Sequence, residues 1–205
     1  MDEQRTAEWF AARLGKVTAS RVADVIAKTK SGEYTAGRDN LMAQLAIERL
    51  TGQAQESYSN SYMQWGTEQE PFARAAYEIA TGQMVEECGF VPHPMIDNAG
   101  ASPDGLVGDD GLVEIKCPST ATMIETLLTQ KVPSKYITQM QMQMACTGRQ
   151  WCDFVSFDPR LPAKAQLWVK RVPRDPEFIL KMEVEIVKFL AELDGKANKL
   201  KDLFQ

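Results

Sequence analysis

Apolar residues recur at helical spacing through the first third of the chain. Thr6 can cap a short helix carrying Trp9, Phe10 and Leu14, with Trp9 and Phe10 read as core. Thr18 or Ala19 opens a second helix, with Val22, Val25 and Ile26 on one face. Lys30 to Gly37 is polar and reads as a loop. A third helix runs from about Asn40 to Leu50 and stops at Gly52. A fourth runs from near Trp65 to Ala80 and stops at Gly82. Residues 6–81 therefore form a helical part.

The pattern then shortens. Met84–Val91, Gly100–Val107 and Leu112–Cys117 are short apolar runs broken by Gly, Asn and Asp, and they predict three strands. Asp109-Asp110-Gly111 supplies a hairpin turn between the second and third. Helical spacing returns at about Ala121–Leu128 and Ser134–Cys146. Strands follow at Trp151–Phe157 and Gln166–Val172, the latter alternating as a half-exposed edge strand does. A long amphipathic helix closes the chain from Pro176 to about Asp202. The expected architecture is a single α/β domain over residues 1–205. A mixed central β-sheet (about 84–172) is flanked by helices, the last at about 176–202.

Composition narrows the classes. The 205 residues are 44% hydrophobic and 25% charged, as in an ordinary globular chain. No apolar run reaches the roughly 20 residues that span a bilayer. The opening Met-Asp-Glu-Gln-Arg-Thr lacks the pattern of a secretory signal, so a cytoplasmic protein without membrane partners is expected. Cys88, Cys117, Cys146 and Cys152 form no Cys-x-x-Cys pair, and His93 is the one histidine. That spacing argues against structural zinc and for reduced core cysteines. A lone histidine between Pro92 and Pro94 also disfavours Ser-His-Asp or Cys-His chemistry. The net charge of −5 disfavours bulk coating of nucleic acid but leaves a local phosphate-binding surface open.

The chemistry concentrates at Ser102-Pro103-Asp104-Gly105 and Glu114-Ile115-Lys116. Alternation along a strand puts Glu114 and Lys116 on one face, and the neighbouring strand brings Asp104 close. Two carboxylates and an ammonium then converge. Mg²⁺ takes such oxygen ligands, with the Ile115 carbonyl as a further donor. Lys116 would orient or deprotonate a water, or neutralise charge on phosphate. A further carboxylate is expected from the fourth helix: Glu70, with Glu68 in reserve. A surface hairpin with an exposed ion pair is the plainer alternative. The apolar surroundings of Glu114 and Lys116 speak against it.

These residues lie within an ordered series of motifs. It runs Glu8-Trp9, Arg13-Leu14-Gly15, Thr18-Ala19-Ser20 and Trp65-Gly66 with Glu70. It continues through Ser102-Pro103-Asp104-Gly105, Glu114-Ile115-Lys116 and Tyr136-x-x-Gln139-x-Gln141 to Phe157-Asp158-Pro159-Arg160. The series resembles the phage lambda exonuclease family, also called the YqaJ viral recombinase family, over roughly residues 8–160. The resemblance implies a PD-(D/E)xK fold and a 5′→3′ exonuclease acting on linear double-stranded DNA. It implies two Mg²⁺ ions, with Mn²⁺ able to substitute, and a 3′ single-stranded tail as product. It further implies a homotrimer, a single-strand annealing protein as partner, and a phage or prophage protein in a bacterial cytoplasm.

By the same resemblance Arg13, Ser20 and Ser102 hold a 5′ phosphate. Gln139 joins Lys116, Glu114, Asp104 and Glu70 in the catalytic set. The metal set is Asp104, Glu114, Ile115 and Glu70. Helical periodicity puts Met140 and Met144 on a core face and Gln139 and Gln143 on another. On its own, Ser20 also reads as a capping or solvated serine. Lys28, Lys30 and Arg38 are basic residues near a loop, either touching DNA or simply solvated. Tyr34 and Tyr58 are candidates for a strand-parting wedge. An endonuclease on the same fold and a non-catalytic binding subunit are the competing classes.

Overall fold

The computed structural model describes residues 4–54 and 61–203. The helical part comprises α1 (Ala7–Arg13), a short β1 (Val17–Thr18), one 3₁₀ turn (Ala19–Arg21), α2 (Val22–Ile26), α3 (Ala36–Thr51) and α4 (Ser61–Thr81). Thr6 caps α1 as expected, its hydroxyl accepting the Trp9 N–H at 3.2 Å. Gly52 and Gly82 end α3 and α4 with φ of 67° and 69°, the left-handed turn that glycine adopts without steric cost.

The remainder comprises β2 (Val85–Glu86), β3 (Val91–Pro92), β4 (Ala99–Ala101), β5 (Gly105–Val107) and β6 (Gly111–Lys116). After these come α5 (Thr120–Thr129), α6 (Ser134–Thr147), β7 (Trp151–Phe157), β8 (Leu167–Pro173) and α7 (Pro176–Asp202). The class is mixed α/β, as predicted. The strands nevertheless form two sheets, not one. Five lie in the order β2-β5-β6-β7-β8, and three in the order β1-β4-β3. Only β6 and β7 pair in parallel in the large sheet.

The division has a local cause. The single strand expected over Gly100–Val107 breaks at Ser102-Pro103-Asp104. Pro103 has no N–H to give a ladder. The Asp104 carboxylate takes the Ile115 N–H at 2.7 Å, standing in for a backbone acceptor. So β4 stays in the small sheet while β5 enters the large one. Met84–Val91 divides likewise into β2 and β3. The hairpin turn also shifts by one residue. Gly108 takes the positive φ of 53°, and Gly111 is already in β6 opposite Val107.

Helices cover both faces of the large sheet. Ala73 and Tyr77 of α4 pack on Val107, Val113, Ile115, Val155 and Phe157. Met123 of α5 and Met140 and Met144 of α6 pack on Leu112, Cys152, Phe154 and Trp168. A third cluster joins α2, α3 and α7 to Met142, Ala145 and Cys146 of α6. Helix α6 is thus apolar on two sides, and Met142 belongs to core along with Met140 and Met144. Each of these methionines is fully buried, worth roughly 1.5–3 kcal/mol relative to exposure.

Several expectations are corrected. Phe10 is not core but 55% exposed, and Trp9 is half-buried. Arg38 neither faces solvent nor is free for DNA. It is buried, paired with Glu192 at 2.7 and 3.0 Å, and lies 3.8 Å above the Tyr34 ring. Tyr34 gives its hydroxyl to Glu185 at 2.5 Å, which ties it to α7 instead of freeing it as a wedge. Tyr58 lies outside the described residues. His93 has a structural role: its Nδ1 accepts the Met95 and Ile96 N–H groups and its Nε2 meets Glu183 at 3.2 Å. With Nδ1 accepting, the ring proton belongs on Nε2, and the loop after β3 is tied to α7.

Candidate active site

Strand β6 sorts its side chains by alternation. Val113 and Ile115 turn to α4, while Leu112, Glu114 and Lys116 turn to α5 and α6. Glu114 is fully buried, and three donors meet its carboxylate. Gln139 gives an amide N–H to Oε1 at 2.7 Å, and Gln143 gives one to Oε2 at 2.5 Å. Lys116 forms an ion pair with Oε1. A buried carboxylate demands such partners, because an unpaired one is far too costly to keep charged.

Gln139 thus reaches the Glu114 carboxylate from α6. Gln143 was missed as a partner of the site. It lies one helical turn after Gln139, so the i, i+4 spacing was its available signal.

A cleft of about 540 Å³ opens beside this pair, lined among others by Arg5, Glu70, Asp104, Ile115, Lys116 and Tyr136. Glu70 rather than Glu68 faces it; Glu68 is exposed and accepts from Gln64 at 3.0 Å. Two arginines hold Glu70: Arg5 at 2.5 Å and Arg74 at 3.3 Å. Arg5 was also missed. It arrives from the N-terminal segment, where no motif marks it. Gln4 beside it anchors that segment, donating to the carbonyls of Cys88 and Pro103 at 2.8 and 2.7 Å.

Charge is strained here. Burial and the neighbouring Glu114 and Glu70 charges push the Asp104 carboxyl up to about 8. Burial alone would lower Lys116, but the Glu114 and Asp104 charges outweigh it and raise the ammonium's pKa. Cys117 lines the cleft too. Burial and Glu70 push its thiol up to about 12, so it is an inert thiol and not a nucleophile.

A second cavity, of about 160 Å³, is lined by Gln4, Trp9, Arg13, Ala19, Ser20, Ser102, Asp104 and Gln139. Arg13 donates to the Ser102 hydroxyl at 2.8 Å and stacks 4.1 Å from the Trp9 ring, while Trp9 Nε1 donates to the same hydroxyl at 3.0 Å. Arg13 has no carboxylate partner among the described residues. Burial lowers its pKa to about 10, the mark of a desolvated cation without an anion.

The turn that aims Arg13 is locked from α3. Gly15 has φ of 66°, gives its N–H to Glu48 at 3.0 Å and accepts Arg49 Nε at 2.8 Å. A Cβ at Gly15 would lie 2.8 Å from Arg49 Cγ. The helix start at Thr18–Ser20 is only a three-residue 3₁₀ turn, so its dipole adds little and the guanidinium carries the anion affinity.

Asp104 borders both cavities. The structure thus gathers Glu70, Asp104, Glu114, Ile115, Lys116 and Gln139 around one centre, with Arg13, Ser20 and Ser102 next to it. As the side chains stand, no three Asp, Glu, His or Cys residues form a ready cage for an ion among the described residues. Arg5, Arg74, Lys116 and the two glutamines occupy the carboxylates instead. Farther along, Asp158 accepts Arg160 Nε at 2.7 Å and the Thr120 hydroxyl at 2.7 Å. The Phe-Asp-Pro-Arg motif is therefore a clip that fixes the start of α5 at the cleft's rim.

Known proteins place the chain. Residues 8–150 match the YqaJ-like viral recombinase domain, and the chain belongs to that family. Among solved structures it is similar to the alkaline exonuclease LHK-Exo from Laribacter hongkongensis. The identity is 57%, with 96% of this chain and 97% of that one covered and a TM-score of 0.89. The same relative in complex with dAMP superposes with a TM-score of 0.91. A phage-related exonuclease from Haemophilus somnus 129PT shares the fold, with a TM-score of 0.74, 18% identity and coverage of 90% and 96%. No curated protein matches the chain in sequence.

Proposed function

We propose that this chain is a Mg²⁺-dependent 5′→3′ exonuclease. In this reading one domain digests one strand of linear duplex DNA and leaves a 3′ single-stranded tail for recombination by strand annealing. One observation carries the reading: Arg13, Ser20 and Ser102 border a cavity in common with Asp104 and Gln139. A guanidinium with no carboxylate partner among the described residues, able to grip a terminal phosphate, therefore lies beside the carboxylate centre. Similarity to an alkaline exonuclease at 57% identity supports the nuclease class.

The donor chemistry fits hard divalent cations. Asp104, Glu114, the Ile115 carbonyl and Glu70 offer oxygens alone, and the crowding that raises Asp104 is relieved by positive charge. These four would hold two Mg²⁺, or Mn²⁺ in their place. When bound, such ions stabilise charge on phosphate and lower the pKa of a coordinated water.

The chain's own groups do the rest. Arg13, Ser20 and Ser102 hold the 5′ phosphate, which sets the first phosphodiester over Asp104. Lys116, kept cationic by Glu114, neutralises charge growing on the phosphate oxygens. Gln139 and Gln143 fix the Glu114 carboxylate. A homotrimer around the DNA, a single-strand annealing partner and a bacterial cytoplasmic setting complete the proposal on the family resemblance. The described helices include none long and apolar enough to cross a membrane.

The test sets linear duplex beside a covalently closed circle, with Mg²⁺, Mn²⁺ or chelator. Loss of the linear DNA alone, abolished by chelator, is expected. Nicking of the circle would mean an endonuclease. No cleavage with either ion would mean a binding subunit.

A further inference from the structure

A second basic cavity shares Ser20 with the one at Asp104. It encloses about 210 Å³, and its lining includes Phe10, Arg13, Lys16, Ser20, Arg21 and Glu48. Arg13 and Ser20 also line the cavity at Asp104, so the two share a wall.

Three cations meet here with little compensation. Arg13 has only the Ser102 hydroxyl and the Trp9 ring as partners among the described residues. Lys16 lies 5.2 Å from the Phe90 ring and makes no ion pair among the described residues. Arg21 donates to Gln44 at 2.6 Å and stands 4.0 Å from Asp24, while its buried Nε has no hydrogen-bond partner. The one carboxylate on the lining, Glu48, is taken up by the frame: Gly15 N–H at 3.0 Å and the Gln44 amide at 3.0 Å. A buried cationic N–H left without an acceptor is costly, and a phosphate oxygen is the acceptor it fits best. Phe10, 55% exposed, adds a ring face of the kind on which bases stack.

We infer that this cavity is a second phosphate subsite, built for a deoxynucleoside 5′-monophosphate. Arg13, Lys16 and Arg21 surround the phosphate, and Phe10 meets the base. The inference rests on the exonuclease reading, in which each turnover leaves a nucleotide that must clear the Arg13–Ser102 pocket before the strand advances. Because Arg13 borders both cavities, the phosphate can move between them without losing its cation. Free phosphate offers the same anionic chemistry without the base.

Calorimetric titration of the full chain with dAMP and with inorganic phosphate tests this. Two dAMP per chain are expected. The Lys16→Gln/Arg21→Gln double variant should keep one and weaken the other roughly tenfold or more. Ser102→Ala should weaken only the site that the double variant keeps. Phe10→Ala should weaken dAMP but not phosphate at the second site. If the double variant fails to fold by circular dichroism, Lys16→Gln alone serves, with the same loss expected at one site. A single dAMP per chain, or two unaffected by the double variant, would overturn the subsite. No effect of Phe10→Ala would overturn its nucleoside specificity. Two-site binding by a protein that digests no DNA would sink the exonuclease reading and leave the subsite standing.

Discussion

Gln143, fully buried, donates to Oε2 of the equally buried Glu114 at 2.5 Å. The bond fills the one carboxylate oxygen that Gln139 and Lys116 leave open. Replacing Gln143 with Met keeps the volume and removes the donor. A hydrogen bond to a charged group is worth about 1.5–3 kcal/mol, so Gln143→Met should destabilise by about that much. Urea unfolding measures it. An unchanged midpoint would mean that the Glu114 carboxylate finds another partner.

Lys116→Ala removes the cation from the same carboxylate. Folding and DNA binding should persist, while cleavage falls by roughly 10²-fold or more. Gel-based digestion beside a binding assay checks both. Retained cleavage in a folded, metal-competent variant would count heavily against the assigned centre.

The raised carboxyl of Asp104 links the site to pH. Its folded pKa, about 8 against an ordinary 3.8, means that the folded state binds the proton more tightly than the unfolded one. This contribution to stability is full below the ordinary value and is lost as pH rises through the raised one. Without divalent ions, stability from this group should therefore decline across that window. Mg²⁺ must displace the proton, so stabilisation by Mg²⁺ should grow over the same range. Thermal melts with Mg²⁺ or chelator at pH 6 and pH 9 should show the larger Mg²⁺ effect at pH 9. An equal or reversed effect would contradict the metal set.

Arg13 has no carboxylate partner among the described residues and hydrogen-bonds the Ser102 hydroxyl instead. Arg13→Gln should bring the digestion rates of 5′-phosphorylated and 5′-hydroxyl ends close together, mainly by slowing the former. Paired initial-rate measurements on the two substrates decide this. A variant that keeps the full preference would move the phosphate pocket elsewhere.

Gly111 tests the fold away from the chemistry. A Cβ there would lie 2.1 Å from the Trp151 ring, over which the Arg171 guanidinium stands 3.4 Å from the centroid. Gly111→Ala should cost about 1–3 kcal/mol by overpacking. A melt that does not shift would show that the ring can move.

The helices and the two long strands were legible because burial of one face writes a period into the sequence. β7 and α7 fall where the pattern put them. The division into two sheets was not legible, since β2 to β5 are two or three residues each and carry no period. Their pairing depends on Pro103 and on Asp104 reaching a backbone N–H eleven residues away.

The centre itself was readable from Asp104, Glu114 and Lys116 because alternation fixes their faces. Arg5 and Gln4 were not, since their partners lie 65 or more residues along the chain. Phe10 and Arg38 were misread for one reason: residue type was taken for environment. An aromatic on α1 stays out, and an arginine with a bidentate carboxylate and a ring beneath it goes in.

The most direct measurement uses a linear duplex with one 5′ end phosphorylated and the other blocked, each strand carrying its own label, incubated with Mg²⁺. Stepwise loss of the phosphorylated strand as 5′-mononucleotides is expected, with the complementary strand left whole. Degradation beginning at the 3′ end, internal cuts, or equal loss of both strands would contradict it.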